Sequence, residues 1–251
     1  MAFGSDKVTV SRDARVQGAF DAGLRAHMLR VYNYMASGLA LTGVVAFIVA
    51  QMSVVTSAGG QIVGMTQFGQ TLFSSPLIWV VMLAPLGFIF FLSFKIRTMK
   101  ASTAQAVFWA FAGVMGISMA SILLQFTGAS VARVFFITAG TFAAMSLWGY
   151  TTKRDLSGMG SFLMMGLIGI IIASVVNMFM ASSALHFAIS VIGVIVFVGL
   201  TAYDTQRIKN EYAEHHDRET SSKLAIMGAL ALYLDFILLF QMLMSLLGDR
   251  R

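Results

Sequence analysis

The sequence predicts an all-α membrane protein, a bundle of seven transmembrane helices. Composition, the count of long apolar runs and the placement of positive charge each point to it. Of 251 residues, 58% are apolar and only 11% charged, and the mean hydropathy is +0.81. Soluble domains carry roughly 25% charged residues. With so few, large apolar patches would face water; in a bilayer they face lipid instead. The chain has no cysteine, so disulfides, thiol catalysis, iron–sulfur clusters and cysteine-based zinc sites are excluded.

A spanning helix needs about 20 mainly apolar residues. Seven runs qualify: 31–51, 76–94, 104–126, 131–150, 160–180, 184–203 and 224–247. Residues 1–30 are a polar segment without the pattern of a removable signal peptide, so the first helix is expected to act as the insertion signal. The spanning domain then covers 31–247, and 248–251 form a short tail. Pro85 lies mid-way along the second run and is expected to kink it. The fourth, fifth and sixth runs are parted by short polar breaks, and merging two would overrun the bilayer. Gly113 with Gly116, and Gly166 with Gly169, supply small residues for close helix packing. The 52–75 connection has no charge, and Gly59-Gly60, Gly64 and Gly69 mark it as a flexible polar loop. The 204–223 connection is dense in charge.

With the N-terminus in the cytoplasm, 14 of the 17 Lys and Arg residues fall on the inner side. Only Arg133, Arg250 and Arg251 fall outside. The positive-inside rule therefore supports this orientation, an odd number of spans and an outer C-terminus. Cations in short tracts between apolar runs serve membrane orientation, so nucleic acid is not an expected partner.

The acids carry the chemistry. Nine of the 11 lie outside the spans. Asp235 lies near the centre of the seventh, within Tyr233-Leu234-Asp235-Phe236-Ile237, and Asp204 at the inner end of the sixth. A mid-membrane Asp costs about 2.5–3.5 kcal/mol, so Asp235 is expected to face the bundle interior with a partner. Asp204 is the titratable candidate; Lys95 and Arg97 could reach inward, and Tyr203, Tyr233, Asn177 and His186 can hydrogen-bond. Two carboxylates 4 Å apart repel by about 4 kcal/mol at an effective dielectric near 20. That separates their two protonation steps by roughly three pH units, and the pair shares one proton. Deprotonated, the two could also hold Ca²⁺, weakly, because that ion takes six to eight oxygens. Against contact, Asp204 sits roughly 13 Å along the axis from the middle of its run. The alternative is a structural hydrogen-bonding Asp235 and a helix-capping Asp204.

His215-His216 is read as part of a solvated loop and His186 as an interfacial residue. The 18 Met and 21 Phe are packing and lipid-facing residues. There is no GxxxxGK[ST] and no HExxH, so neither enzymatic activity nor a resident cofactor is expected.

Four stretches together resemble the Bax inhibitor-1 (TMBIM) family, in its bacterial branch. They are Phe142 to Ser157 (with Gly149-Tyr150-Thr151-Thr152-Lys153-Arg154-Asp155), Asn177-Met178-Phe179, Tyr203-Asp204-Thr205-Gln206 with Ile208 and Lys209, and Leu232 to Ile237. The resemblance implies a seven-helix fold with the last helix central. It implies a pH-sensitive calcium leak gated by a proton-sharing pair, which falls here on Asp204 and Asp235. It also implies a basic latch from the second helix, matched by Arg97 or Lys95. The chain departs from the pattern at Leu238, where many members have Asn, so a polar group is missing near the pair.

The expected function is thus a Ca²⁺ leak responding to protons, in a bacterial inner membrane. The alternatives are a regulatory protein acting on a membrane protease, and a proton-coupled transporter.

Overall fold

The computed structural model describes residues 5–57, 62–96, 98–212 and 217–251, with side chains from residue 21 onward. Seven described helices are long and apolar enough to span: α1 (Ser5–Ser53), α3 (Leu77–Lys95), α4 (Ala101–Gln125), α5 (Gly128–Thr151), α6 (Ser157–Met180), α7 (Ser183–Glu211) and α8 (Arg218–Leu247). The protein is therefore an all-α membrane bundle, as its sequence predicts. Between α1 and α3 lie a small hairpin, β1 (Val54–Thr56) with β2 (Ile62–Met65), and the short α2 (Gln67–Phe73).

Three boundaries differ from expectation, each for a local reason. α1 runs back to Ser5, well before residue 31, because residues 5–30 contain no Pro, and the helix continues through Gly18 and Gly23. α7 continues past 203 to Glu211 because Asp204–Glu211 also lack a breaker. The 52–75 connection is not a simple loop: β-branched Val54, Val55, Thr56, Ile62 and Val63 pair as antiparallel strands. Gly59 and Gly60, like His215 and His216, lie outside the described residues.

Polar side chains close the helix ends. Thr66, Thr127, Ser182 and Asp217 accept from N–H groups of the first turns of α2, α5, α7 and α8. The hydroxyl and N–H of Ser157 hold the Asp155 carboxyl below its ordinary value at the start of α6. Between α6 and α7, Ala181 adopts a left-handed conformation (φ 49°). Asn177 secures this turn by accepting from the Ser182 N–H at 3.0 Å.

α8 is the central helix: it packs on α1, α4, α5 and α7, and more of its spanning segment is buried than in any other described helix. α3 and α6 are rim helices, with little of either buried. Phe162, Met165, Ile168 and Phe179 of α6 are among the apolar side chains left for lipid.

Lipid tails are as apolar as the helices, so packing depends on close approach and on hydrogen bonds. α1 and α4 meet at Gly116, where a Cβ would stand 2.8 Å from the Thr42 carbonyl oxygen and 2.7 Å from Val45 Cβ. Gly113 faces open space. Only Gly116 of this pair is a packing glycine; likewise Gly166 meets Val196 while Gly169 meets nothing. Thr42 gives its proton to the Ala112 carbonyl (2.9 Å), so the Tyr233 hydroxyl donates to Thr42 (2.6 Å) and joins α8 to both helices.

Pro85 sits inside α3, which runs on through it. Proline has no N–H for the carbonyl four residues back, which is that of Val81. Ser118 of α4 donates its hydroxyl to that carbonyl. The helix break is thereby turned into a link between helices.

Two outcomes follow from this packing. Ser118→Ala should lower stability in detergent by about 1 kcal/mol, and the loss should vanish in a Pro85→Ala background, where an N–H serves Val81. Thermal unfolding of the four combinations measures the coupling. Gly116→Ala should cost about 1–3 kcal/mol by overpacking, whereas Gly113→Ala should leave unfolding unchanged.

Candidate functional site

The register of α7 against α8 builds the site. Ser190 meets Ser245, Gly193 meets Met242 and Ile208 meets Gly228. In that antiparallel register Asp204 lies opposite residues 231–232 and Asp235 opposite 200–201. The two Cα atoms are then offset by about one turn, roughly 5–6 Å. Each Cα–Cβ bond leans toward its own helix N-terminus, and the helices run in opposite directions, so the two side chains lean toward each other. The carboxyl groups come within hydrogen-bonding reach. The continuation of α7 to Glu211 removes the mismatch of depth anticipated from the apolar run.

Both acids are buried, Asp235 at 5% exposure and Asp204 at 8%. Asp235 Oδ2 is enclosed, and no N–H or O–H donor among the described residues reaches it. Asp204 pairs with the guanidinium of Arg207 at 3.0 Å, one turn on along α7. Arg207 also lies 3.6 Å from Glu211 and over the Tyr203 ring at 5.8 Å. Asp204 thus looks out through a charged opening, whereas Asp235 is sealed behind it.

Each residue of Tyr203-Asp204-Thr205-Gln206 and its continuation faces a different neighbour. Tyr203 lays its ring on Gly160 of α6. Gln206 accepts from the Leu156 N–H (2.9 Å) and donates to the Arg154 carbonyl (2.8 Å), clamping the α5–α6 connection. Lys209 donates to the Tyr150 carbonyl at 2.8 Å. Thr205 gives its proton to the Thr201 carbonyl, so Ser146 of α5 donates to Thr205 (2.9 Å) and Tyr32 of α1 donates to Ser146 (2.6 Å). This hydroxyl string ties three helices beside the acids. Gly149 lets α5 approach, since a Cβ there would overlap the Ala202 carbonyl.

The other anticipated partners lie elsewhere. Tyr233 is committed to Thr42 and packs edge-on against Phe108 and Phe111. Asn177 is in the last turn of α6, at the far end of the bundle, where it holds the α6–α7 turn. Lys95 is exposed at the end of α3 and makes no ion pair among the described residues; Arg97 lies outside them. The cation beside the acids is Arg207, detectable in sequence as the i,i+3 neighbour of Asp204. Sequence reasoning also passed over Tyr32, Ser146 and the buried His27, which lies 5.5 Å from the Tyr212 ring. Hydroxyls and a lone imidazole have no pattern that marks them. His186 is at the far end of α7, its Nε2 2.8 Å from Ser245. Among the described residues no group of three or more acids and imidazoles forms a metal cage.

Known sequences resemble this chain over most of its length. A Rickettsia prowazekii protein of undefined role is 49% identical over 92% of this chain and 93% of its own length. The inner membrane protein YbhL of Escherichia coli K12 is 44% identical over 92% of this chain and 94% of its own. A membrane protein of Streptococcus pyogenes is 30% identical over 91% and 94%. The family model described as "Inhibitor of apoptosis-promoting Bax1" matches residues 24–251, nearly the whole bundle with both acids, and the chain belongs to that Bax inhibitor family.

Proposed function

We propose that the protein is a pH-responsive leak pathway for Ca²⁺, with Asp204 and Asp235 as its proton-sharing gate. The observation that supports this reading is the contact of two buried carboxyls, one of whose oxygens meets no donor. A proton held between them would supply that donor and tie α7 to α8. Its removal would leave two anions in contact beside a single guanidinium. Repulsion would then favour separation, and hard oxygen ligands would become available to a divalent cation.

The surroundings fit such a route. Arg207 and Glu211 are partly exposed, so water and ions can approach Asp204 from the basic end. Beyond Asp235 lies an apolar cavity of about 250 Å³, lined by Leu39, Thr42, Phe135, Ile237 and Phe240 among others. An apolar stretch of this kind blocks ions until it is wetted. Leu238, one turn past Asp235 and half-buried, adds no polar group to help. Arg207 takes the part of the latch, on the same helix as the acid it holds. Ca²⁺ is cargo here, and two carboxylates hold it weakly. No catalytic role and no resident cofactor are proposed.

The basic end of the bundle faces the cytoplasm in this reading, with the N-terminus inside, as the positive-inside rule requires. A bacterial inner membrane is the proposed location, in keeping with the printed name of the Escherichia coli relative.

Calcium entry into proteoliposomes, followed across pH, tests the gate. Flux should rise with pH as the shared proton leaves, by up to about tenfold per pH unit for one proton. Asp235→Asn and Asp204→Asn should each flatten that dependence. If rate and slope survive both changes, the gating idea is wrong; saturable uptake of one solute would instead mark a transporter. Orientation is tested separately, because the chain has no cysteine of its own. In intact cells an impermeant maleimide should label the Gly128→Cys variant and spare Lys153→Cys until the membrane is opened. The reverse pattern would overturn the assignment.

A further inference from the structure

We propose that a groove between α1 and α5 seats one anionic phospholipid from the leaflet at the basic end of the bundle. α1 packs on α4 and α8, and α5 on α7 and α8, so the two helices diverge in front of the hydroxyl string. The space between them is about 520 Å³, within the roughly 300–1,000 Å³ range of small-molecule sites. Its walls are apolar, including Leu29 of α1 and Phe142, Ala143 and Leu147 of α5.

Length and polarity select the occupant. The groove runs from Arg25 to Tyr32 on α1 and from Tyr150 to Phe142 on α5, about 10–12 Å by helical rise. One leaflet of hydrocarbon is about 15 Å deep, so an acyl chain fits lengthwise. Tyr32 and Ser146 line the floor, but their protons are spent within the string and offer nothing unpaired to a hydrocarbon chain. At the mouth, Arg25 is exposed, and among the described residues no carboxylate lies in ion-pair range of it. Lys209 lies across the Tyr150 ring at 5.3 Å, and Lys153 is exposed just beyond. A phosphate on an acyl chain matches a cation at the mouth of an apolar slot, and a net negative headgroup matches it best. The seat is separate from the aspartate pair and does not depend on ion conduction.

Native mass spectrometry of the full chain, delipidated in detergent and given phosphatidylglycerol or phosphatidylcholine, tests this. The unaltered protein should retain one phosphatidylglycerol per chain, about fivefold more readily than phosphatidylcholine, the weight of one cation. Ala143→Trp fills the slot and should abolish retention. Arg25→Gln should remove the headgroup preference, while Arg30→Gln, which faces a different groove beside Trp109, should leave it. Arg25 is exposed, so that arm stands even if Ala143→Trp misfolds. Full retention by Ala143→Trp overturns the proposal, as does an equal effect of the two arginine changes. So does a dimer that Ala143→Trp dissolves, because a second copy would then fill the groove.

Discussion

Two carboxyl groups one turn apart on antiparallel helices are drawn together by the lean of their own Cα–Cβ bonds. That arrangement holds only in one register. A slip of α7 along α8 by one turn would bring the two Cα atoms level or set them two turns apart. The register is fixed at both ends of the pair. Ser190 and Ser245 meet at one end, and Ile208 closes on Gly228 at the other. Met242 over Gly193 adds a third lock between them. None of these contacts touches either acid, yet together they determine where both carboxyls stand.

Lipid provides no hydrophobic drive between helices, so the bundle relies on small residues and on hydrogen bonds shared across helices. Several polar groups in the interior serve such links, whereas Thr138 and Thr201 bond back to carbonyls of their own helices. Thr42 joins α1 to α4 and receives Tyr233 from α8. Ser146 passes a hydrogen bond from α1 through α5 to α7. Ser118 takes up the carbonyl that Pro85 leaves bare. In each case the direction of donation is set by simple accounting, since a hydroxyl has one proton to give. The interior is therefore polar only where a partner exists, with Asp235 Oδ2 as an exception among the described residues.

The scaffold was readable because length and hydropathy act locally: seven apolar runs became seven helices. The ends were less readable, since an apolar run stops where polar residues begin, whereas a helix stops only at a breaker or a cap. Asp204 to Glu211 are polar apart from Ile208 and still helical, so the apolar run alone does not give the depth of Asp204. Asp235 stood out by its cost in the membrane, and its neighbour by the resemblance. Arg207 is legible only through its i,i+3 spacing from Asp204, a weaker signal than a cation on a facing helix. Gly113 and Gly116 show the limit of a composition rule: both are small, but only one faces a neighbour.

The placement of Arg207 on α7 has an energetic consequence. An ion pair within one helix travels with that helix, so any widening between α7 and α8 leaves Asp204 compensated. Asp235 has no cation on its own helix within a turn; Leu232, Leu238 and Leu239 surround it along α8. A charge stranded at mid-membrane costs about 2.5–3.5 kcal/mol on insertion scales. The two acids are therefore unequal: one is anchored to a guanidinium on its own helix, and the other depends on whatever its partner helix presents. Separation of α7 from α8 loads its whole penalty onto Asp235, and only a proton, a cation or water arriving at that carboxyl can relieve it.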